Sequence, residues 1–159
     1  MPLSPSALTR LKHQHETIHE LVGDLPEQAL RRVINPGKWS AFDNIAHLAC
    51  YQGVFLLRLE RIQMETSPAF GAYVAETDPN FPGYQQRSLP HLFTAVNSRR
   101  SALLNKLEGM SEDALLRTAS HPRYGLLDTA QWTEFFLLHE AHHLYTIFML
   151  VQGLRKSLR

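Results

Sequence analysis

Cysteine is almost missing from this chain. Cys50 is the only one in 159 residues, so neither an internal disulfide nor a cysteine-based zinc site is available. Its neighbours are apolar, and it reads as a buried, inert thiol. Charge is sparse as well. Charged residues make up 19% of the chain and leave a net +1, which gives no global field for nucleic acid or membrane. The small basic tail Arg155-Lys156-Ser157-Leu158-Arg159 suits a helix C-terminus instead. No run reaches about 18 uncharged apolar residues, and Met1-Pro2-Leu3-Ser4-Pro5 lacks a charged n-region followed by an apolar core. The chain therefore reads as a soluble cytoplasmic protein with neither a nucleic-acid nor a membrane partner. Strand patterning, internal repeats and low-complexity segments are also lacking.

What is present is helical periodicity. With 44% apolar residues the chain suits one domain, 1–159, with a real core. Ser4-Pro5 opens a first helix to about Leu25-Pro26, with an inner stripe of Leu8, Leu11, His15, Ile18 and Val22. His13 and His19 fall off that stripe. Asn35-Pro36-Gly37 reads as a turn. Ser40, with Asp43 three residues on, caps a second helix ending near Thr66. From Ile45 to Leu57 this helix carries no charge, so it is buried on several sides or forms a subunit interface in a homodimer. His47 is its polar intruder and lies off the heaviest apolar stripe; Arg58 and Arg61 mark a return to solvent. Residues 67–87, with Pro68, Pro79 and Pro82 among Phe70, Tyr73, Phe81 and Tyr84, read as a long ordered loop, either a lid or a crossover, or simply packed on the helices. A third helix spans about Ser88 to Glu108. A short helical piece capped by Ser111 and a loop at His121–Gly125 follow. Asp128 and Gln131 then cap a fourth helix through Val151, with Gly153 at its end. Four long helices make an all-α four-helix bundle the expected architecture.

Nine histidines are the compositional anomaly. His139-Glu140-Ala141-His142-His143 sits within the apolar run Trp132–Leu150. Residues four apart on a helix lie about 40° apart in projection, so His139 and His143 share a face and can share one metal ion. Burying two imidazoles is costly unless both find partners, and a metal satisfies them together. Trp132, Phe135, Phe136, Thr146 and Leu150 share that face and would wall a site there. His142 falls beside the pair. His15 is core-facing, as a hydrogen-bonded core histidine or a site residue.

Two other metal readings use the same letters. His139–His143 and His15–His19 both match His-Glu-x-x-His, the zincin protease pattern. A zincin needs a third ligand, and the 16 residues after His143 contain no His, Glu or Asp. Glu16-x-x-His19 and Glu140-x-x-His143 have the spacing of di-iron carboxylate bundles. That site also needs an inward Glu near the middle of each other helix, whereas Glu60, Glu65 and Glu108 lie toward helix ends.

In Lys38-Trp39-Ser40, then Ile45-Ala46-His47-Leu48, then His121-Pro122-Arg123-Tyr124-Gly125, then His139-Glu140-Ala141-His142-His143-Leu144, the chain resembles the DinB/YfiT-like family of metalloenzymes over nearly its whole length. The resemblance implies a four-helix bundle holding a divalent metal, zinc or nickel, on three histidines, which map to His47, His139 and His143. Many members have Gln shortly beyond the last ligand where this chain has Tyr145 and Thr146, so contacts around the ligands differ. Three neutral nitrogen ligands leave a metal its full charge and an open position, able to lower a bound water's pKa toward about 7 or to activate a thiolate. The resemblance extends to both chemistries. The expected function is a metal-dependent hydrolase or low-molecular-weight-thiol S-transferase acting on a small molecule. Tyr51, Trp132 and Glu140, the last as a base, are candidate catalytic or substrate residues; each also has a purely structural reading. The alternatives are a non-enzymatic metal-binding or interaction bundle and, less favoured, a di-iron carboxylate protein.

Overall fold

The chain's end caps form as their letters dictate. In the structure, a computed structural model describing residues 3–157, Ser4 Oγ accepts from Ala7 N at 3.0 Å and starts α1 (Pro5–His13). Met1, Pro2, Leu158 and Arg159 lie outside the described residues. The first helix is not one rod. A 3-10 turn at Gln14–Glu16 separates α1 from α2 (Thr17–Val22), and it delivers the Gln14 amide to the last helix, donating to the Leu137 carbonyl at 2.9 Å and to Glu140 at 2.8 Å.

A short α3 (Glu27–Leu30) follows, then the Asn35-Pro36-Gly37 turn, which closes with Lys38 N donating to the Asn35 carbonyl at 3.1 Å. Gly37 has φ of +71°, the left-handed backbone that the third position of a Pro-Gly turn requires. The predicted capping box begins α4 (Ala41–Met64): Ser40 Oγ accepts from Asp43 N while Asp43 Oδ2 accepts from Ser40 N, both at 3.0 Å. Most of its charge-free stretch is covered within the chain, by the helices Leu89–Glu108 and Thr129–Ser157 on its long sides and by the short helix Phe81–Gln85, with Leu57 exposed at its end. Of the two sequence readings for that stretch, burial inside one chain is the one seen.

Residues 67–87 hold more regular structure than expected. They contain a 3-10 turn at Ala75–Thr77 and a helix, α5 (Phe81–Gln85), whose Pro82 occupies the first turn, where no amide donor is needed. Phe70, Ala75, Phe81 and Tyr84 are buried in the bundle. The third long helix, α6 (Leu89–Glu108), leads to α7 (Glu112–Leu116). The sequence shows no strand pattern after α7, yet two short strands form there. Thr118–His121 (β1) and Gly125–Asp128 (β2) form an antiparallel hairpin with Ala119 opposite Leu127, and Gly125 at φ +73° turns it. Strands this short carry no alternation to read, and much of β2 is exposed.

The last helix, α8 (Thr129–Ser157), opens on a reciprocal Asp128–Gln131 box and runs past Gly153. That glycine is no cap. A Cβ there would stand 2.8 Å from Ile34 Cδ1, so its role is close approach. Two apolar clusters fill the bundle, with buried polar residues lying between them on several elements. On α6, Arg100 lies between Val96 of one cluster and Leu103 of the other; on α8, Glu140 lies between Leu144 and Leu137; His15 lies between Ile18 and Leu11.

Candidate metal centre

The facing sides of α4 and α8 bring His47, His139 and His143 together. One donor atom from each falls in a group spanning no more than 4.8 Å, and among the described residues no other trio of His, Cys, Asp or Glu does so. Nε2 of His47 and Nε2 of His139 are 3.1 Å apart. Tetrahedral ligands at about 2.0–2.1 Å from a metal are separated by only slightly more than that.

Second contacts orient the rings. His143 Nδ1 lies 2.8 Å from Asn44 Oδ1, and Asn44 Nδ2 donates to the Ser40 carbonyl at 2.8 Å. The second bond fixes which end of the amide faces His143. Its oxygen does, so Nδ1 carries the proton and Nε2 presents a lone pair toward the trio. Nδ1 of His47 and of His139 are buried without a partner. Burial holds all three imidazoles neutral: it pushes His47 down to about 4, His139 to about 2 and His143 to about 3, the last two helped by the neighbouring histidines. Neutral, desolvated imidazoles whose Nε2 atoms converge this closely fit a divalent ion.

Aromatic rings wall the trio. Trp39 stands 5.1 Å from the His47 ring and 6.2 Å from that of His143; Tyr51 stands 4.3 Å from His139. A cleft of about 350 Å³ opens beside them, bounded by Trp39, Tyr51, Arg58, Tyr73 and Phe135. The segment 67–87 therefore does two things: its buried aromatics pack on the bundle, and Tyr73 with residues 74–76 forms one wall of the cleft.

Tyr51 lines the cleft. Trp132 does not: it is fully buried, its Nε1 donates to the Ala119 carbonyl at 3.2 Å, and it packs against Phe70. Glu140 is neither an exposed helix residue nor at the cleft. It is 1% exposed, turned into the bundle, and paired with Arg100 and Gln14. Phe135 does wall the cleft, while Thr146 and Leu150 border a separate depression behind His143 and Phe136 lies in the core. His142, His13 and His19 are exposed. His15 is buried, but its Nδ1 has no partner, so it is not a fully hydrogen-bonded core histidine. Glu16 is exposed and Glu140 is neutralised by Arg100, so the carboxylates of a di-iron site do not converge.

Two residues escaped the sequence reading. Asn44 lies one turn before His47 on an apolar helix, and that spacing was the available signal. Arg58 is not a return to solvent: it is 9% exposed and folds inward over Tyr51, Phe70 and Trp132, whereas Arg61 is exposed and paired with Glu65.

A family model for the DinB superfamily matches residues 10–147. YfiT from Bacillus subtilis, described as a probable metal-dependent hydrolase with an unusual four-helix bundle topology, superposes with a TM-score of 0.79 at 14% identity, over 93% of this chain and 85% of that one. TT2238, described as a four-helix bundle protein, superposes with a TM-score of 0.65 at 20% identity, over 89% of this chain and 95% of that one. At such identities these are likenesses of fold. No curated protein matches the chain. Among the described residues no helix is long and apolar enough to cross a membrane.

Proposed function

The chain belongs to the DinB superfamily, and from that premise we propose that it is a metal-dependent enzyme acting on a small molecule, with His47, His139 and His143 holding one divalent ion, zinc or nickel. The observation that carries this reading is the convergence of three neutral imidazoles beside an open cleft. A closed structural site takes its full ligand set from protein; three donors and an adjoining cleft suit a catalytic one. An ion bound there supplies a Lewis acid that makes a water or a thiol nucleophilic at neutral pH.

The chain's own part is to position and to exclude. Asn44 holds the His143 tautomer. Trp39, Tyr51 and Tyr73 keep the trio dry on their sides, which strengthens electrostatic interaction inside the cleft. No cysteine of the protein serves as nucleophile: Cys50 lies off the cleft, and burial pushes its thiol up to about 11. The attacking group is therefore external, a water in hydrolysis or a low-molecular-weight thiol in S-transfer.

Elemental analysis of protein purified without a metal-affinity tag or chelator, repeated on His47→Ala, His139→Ala and His143→Ala, tests the site. About one equivalent of zinc or nickel, lost in each variant, is expected. Absence of metal even after zinc or nickel is added, or full retention by His47→Ala, would overturn the ligand set.

A further inference from the structure

Two arginines are buried among the described residues, and their surroundings differ. Arg100, 2% exposed, is paired with the buried carboxylate of Glu140. Arg58, 9% exposed, has no carboxylate within ion-pair distance among the described residues. A buried cation without a counter-charge is costly, so an anion brought by a ligand would relieve that cost.

Its surroundings say where that anion would sit. Arg58 Nη2 donates to the Gly71 carbonyl at 2.9 Å and Nη1 to the Tyr51 hydroxyl at 3.4 Å. These bonds fix the plane of the guanidinium and use only part of its donor fork. Arg58 also bounds the cleft that holds the three histidines. Tyr51 bridges the two ends: its ring is 6.0 Å from Arg58 Cζ and 4.3 Å from the His139 ring. Glu76, the acidic residue on the cleft's rim, is exposed and not paired with Arg58.

We propose that Arg58 anchors the carboxylate of the ligand that occupies this cleft, so that the site takes small organic acids whose other end reaches the histidines. A rigid fork matches a carboxylate in two parallel hydrogen bonds. The aromatic walls accommodate an apolar body between the ends, with the Tyr51 ring beside both the guanidinium and His139. A single cation with Glu76 nearby favours a monoanion over a phosphate dianion. The inference deepens the metal-enzyme reading and rests on it for what happens at the far end; the anchor itself requires no ion.

Phenylacetate, its neutral amide phenylacetamide and inorganic phosphate are the probes, titrated by NMR into metal-free and zinc-loaded wild-type protein, Arg58→Gln and Arg58→Lys. Circular dichroism verifies that each variant is folded; Arg58→Lys keeps the charge and loses the fork. Saturable phenylacetate binding that shifts the Arg58 Nε–H and Trp39 indole resonances is expected. It should weaken about tenfold to a hundredfold in Arg58→Gln, with Arg58→Lys between. Phenylacetamide should bind no better than it does to Arg58→Gln. Equal binding of acid and amide, equal binding by wild type and a folded Arg58→Gln, no saturable binding in either metal state, or tighter binding of phosphate than of phenylacetate would overturn the proposal. Failure of the metal reading looks different: phenylacetate binding would depend on Arg58 while zinc failed to bind in wild type.

Discussion

Asn44 Oδ1 stands 2.8 Å from Nδ1 of His143, and the same amide is held by its own bond to the Ser40 carbonyl. Ser40 is the N-cap of α4 and is locked by Asp43, so a chain of hydrogen bonds runs from the helix cap to an imidazole on the facing helix. The start of α4 thereby sets the ring orientation on α8.

Removing that link should weaken metal binding without unfolding the bundle. Asn44→Ala is expected to lower zinc affinity about 10–100-fold, the usual cost of losing the outer partner of a metal-bound histidine. Competition titration against a chromophoric chelator measures it. Asn44→Asp keeps an acceptor and should retain more affinity than Asn44→Ala; unchanged affinity in Asn44→Ala would show that the ring is oriented by packing alone.

Acid should destabilise the metal-free protein from a specific point. The folded state holds His47 and His15 at about 4, His143 at about 3 and His139 at about 2, against 6.5 for an unperturbed histidine. The unfolded chain therefore takes up protons first. Stability is complete above about pH 6.5 and drains as pH falls toward the folded values, at roughly 1.4 kcal/mol per pH unit for a group as buried as His47. Thermal melts between pH 8 and pH 5 are the measurement, and a flat melting temperature across that range would contradict the burial of neutral imidazoles. Zinc should steepen the acid limb, since protons compete for the same nitrogens.

The sequence made the bundle legible because capping boxes and periodic stripes are local. Ser40–Asp43 and Asp128–Gln131 form as reciprocal pairs where their spacing places them. The spacing of His139 and His143 is equally local, whereas their meeting with His47 is a contact across 92 residues that periodicity alone left open. Other features escaped for related reasons. The hairpin's strands are too short to show a period, and Arg58 turns inward where the segment after α4 folds back to offer it the Gly71 carbonyl beside the Tyr51 hydroxyl, a fold-back no helical period reveals. Glu140 could be read as part of a metal motif because its partner, Arg100, stands on another helix.

Close approach, rather than helix termination, predicts the behaviour of Gly153. Gly153→Ala pushes a methyl group to 2.8 Å from Ile34 Cδ1 and should cost about 1–3 kcal/mol, as overpacking does. Ile34→Val removes that Cδ1 atom. In the Gly153→Ala background it should recover part of the loss, read as chemical-denaturation midpoints. Additive costs in the double variant would mean that the two residues do not meet.

The Arg100–Glu140 pair lies between the two apolar clusters and ties α6 to α8 next to His139. Arg100→Met leaves a buried carboxylate without its cation and should cost about 3–5 kcal/mol, whereas Arg100→Met with Glu140→Leu should recover much of it by replacing the pair with apolar volume. The pH dependence separates this from simple cavity formation. Burial already raises the Glu140 carboxyl, and without Arg100 nothing opposes that rise. A folded-state value above the unfolded one gives stability that is present at low pH and lost as pH rises through the folded value. In the single variant this opposes the slope set by the retained histidines, so its melting temperature should rise less from pH 6 to pH 8 than that of wild type. If Arg100→Met shows the wild-type slope, Glu140 has found another partner and the loss is one of packing rather than of charge pairing.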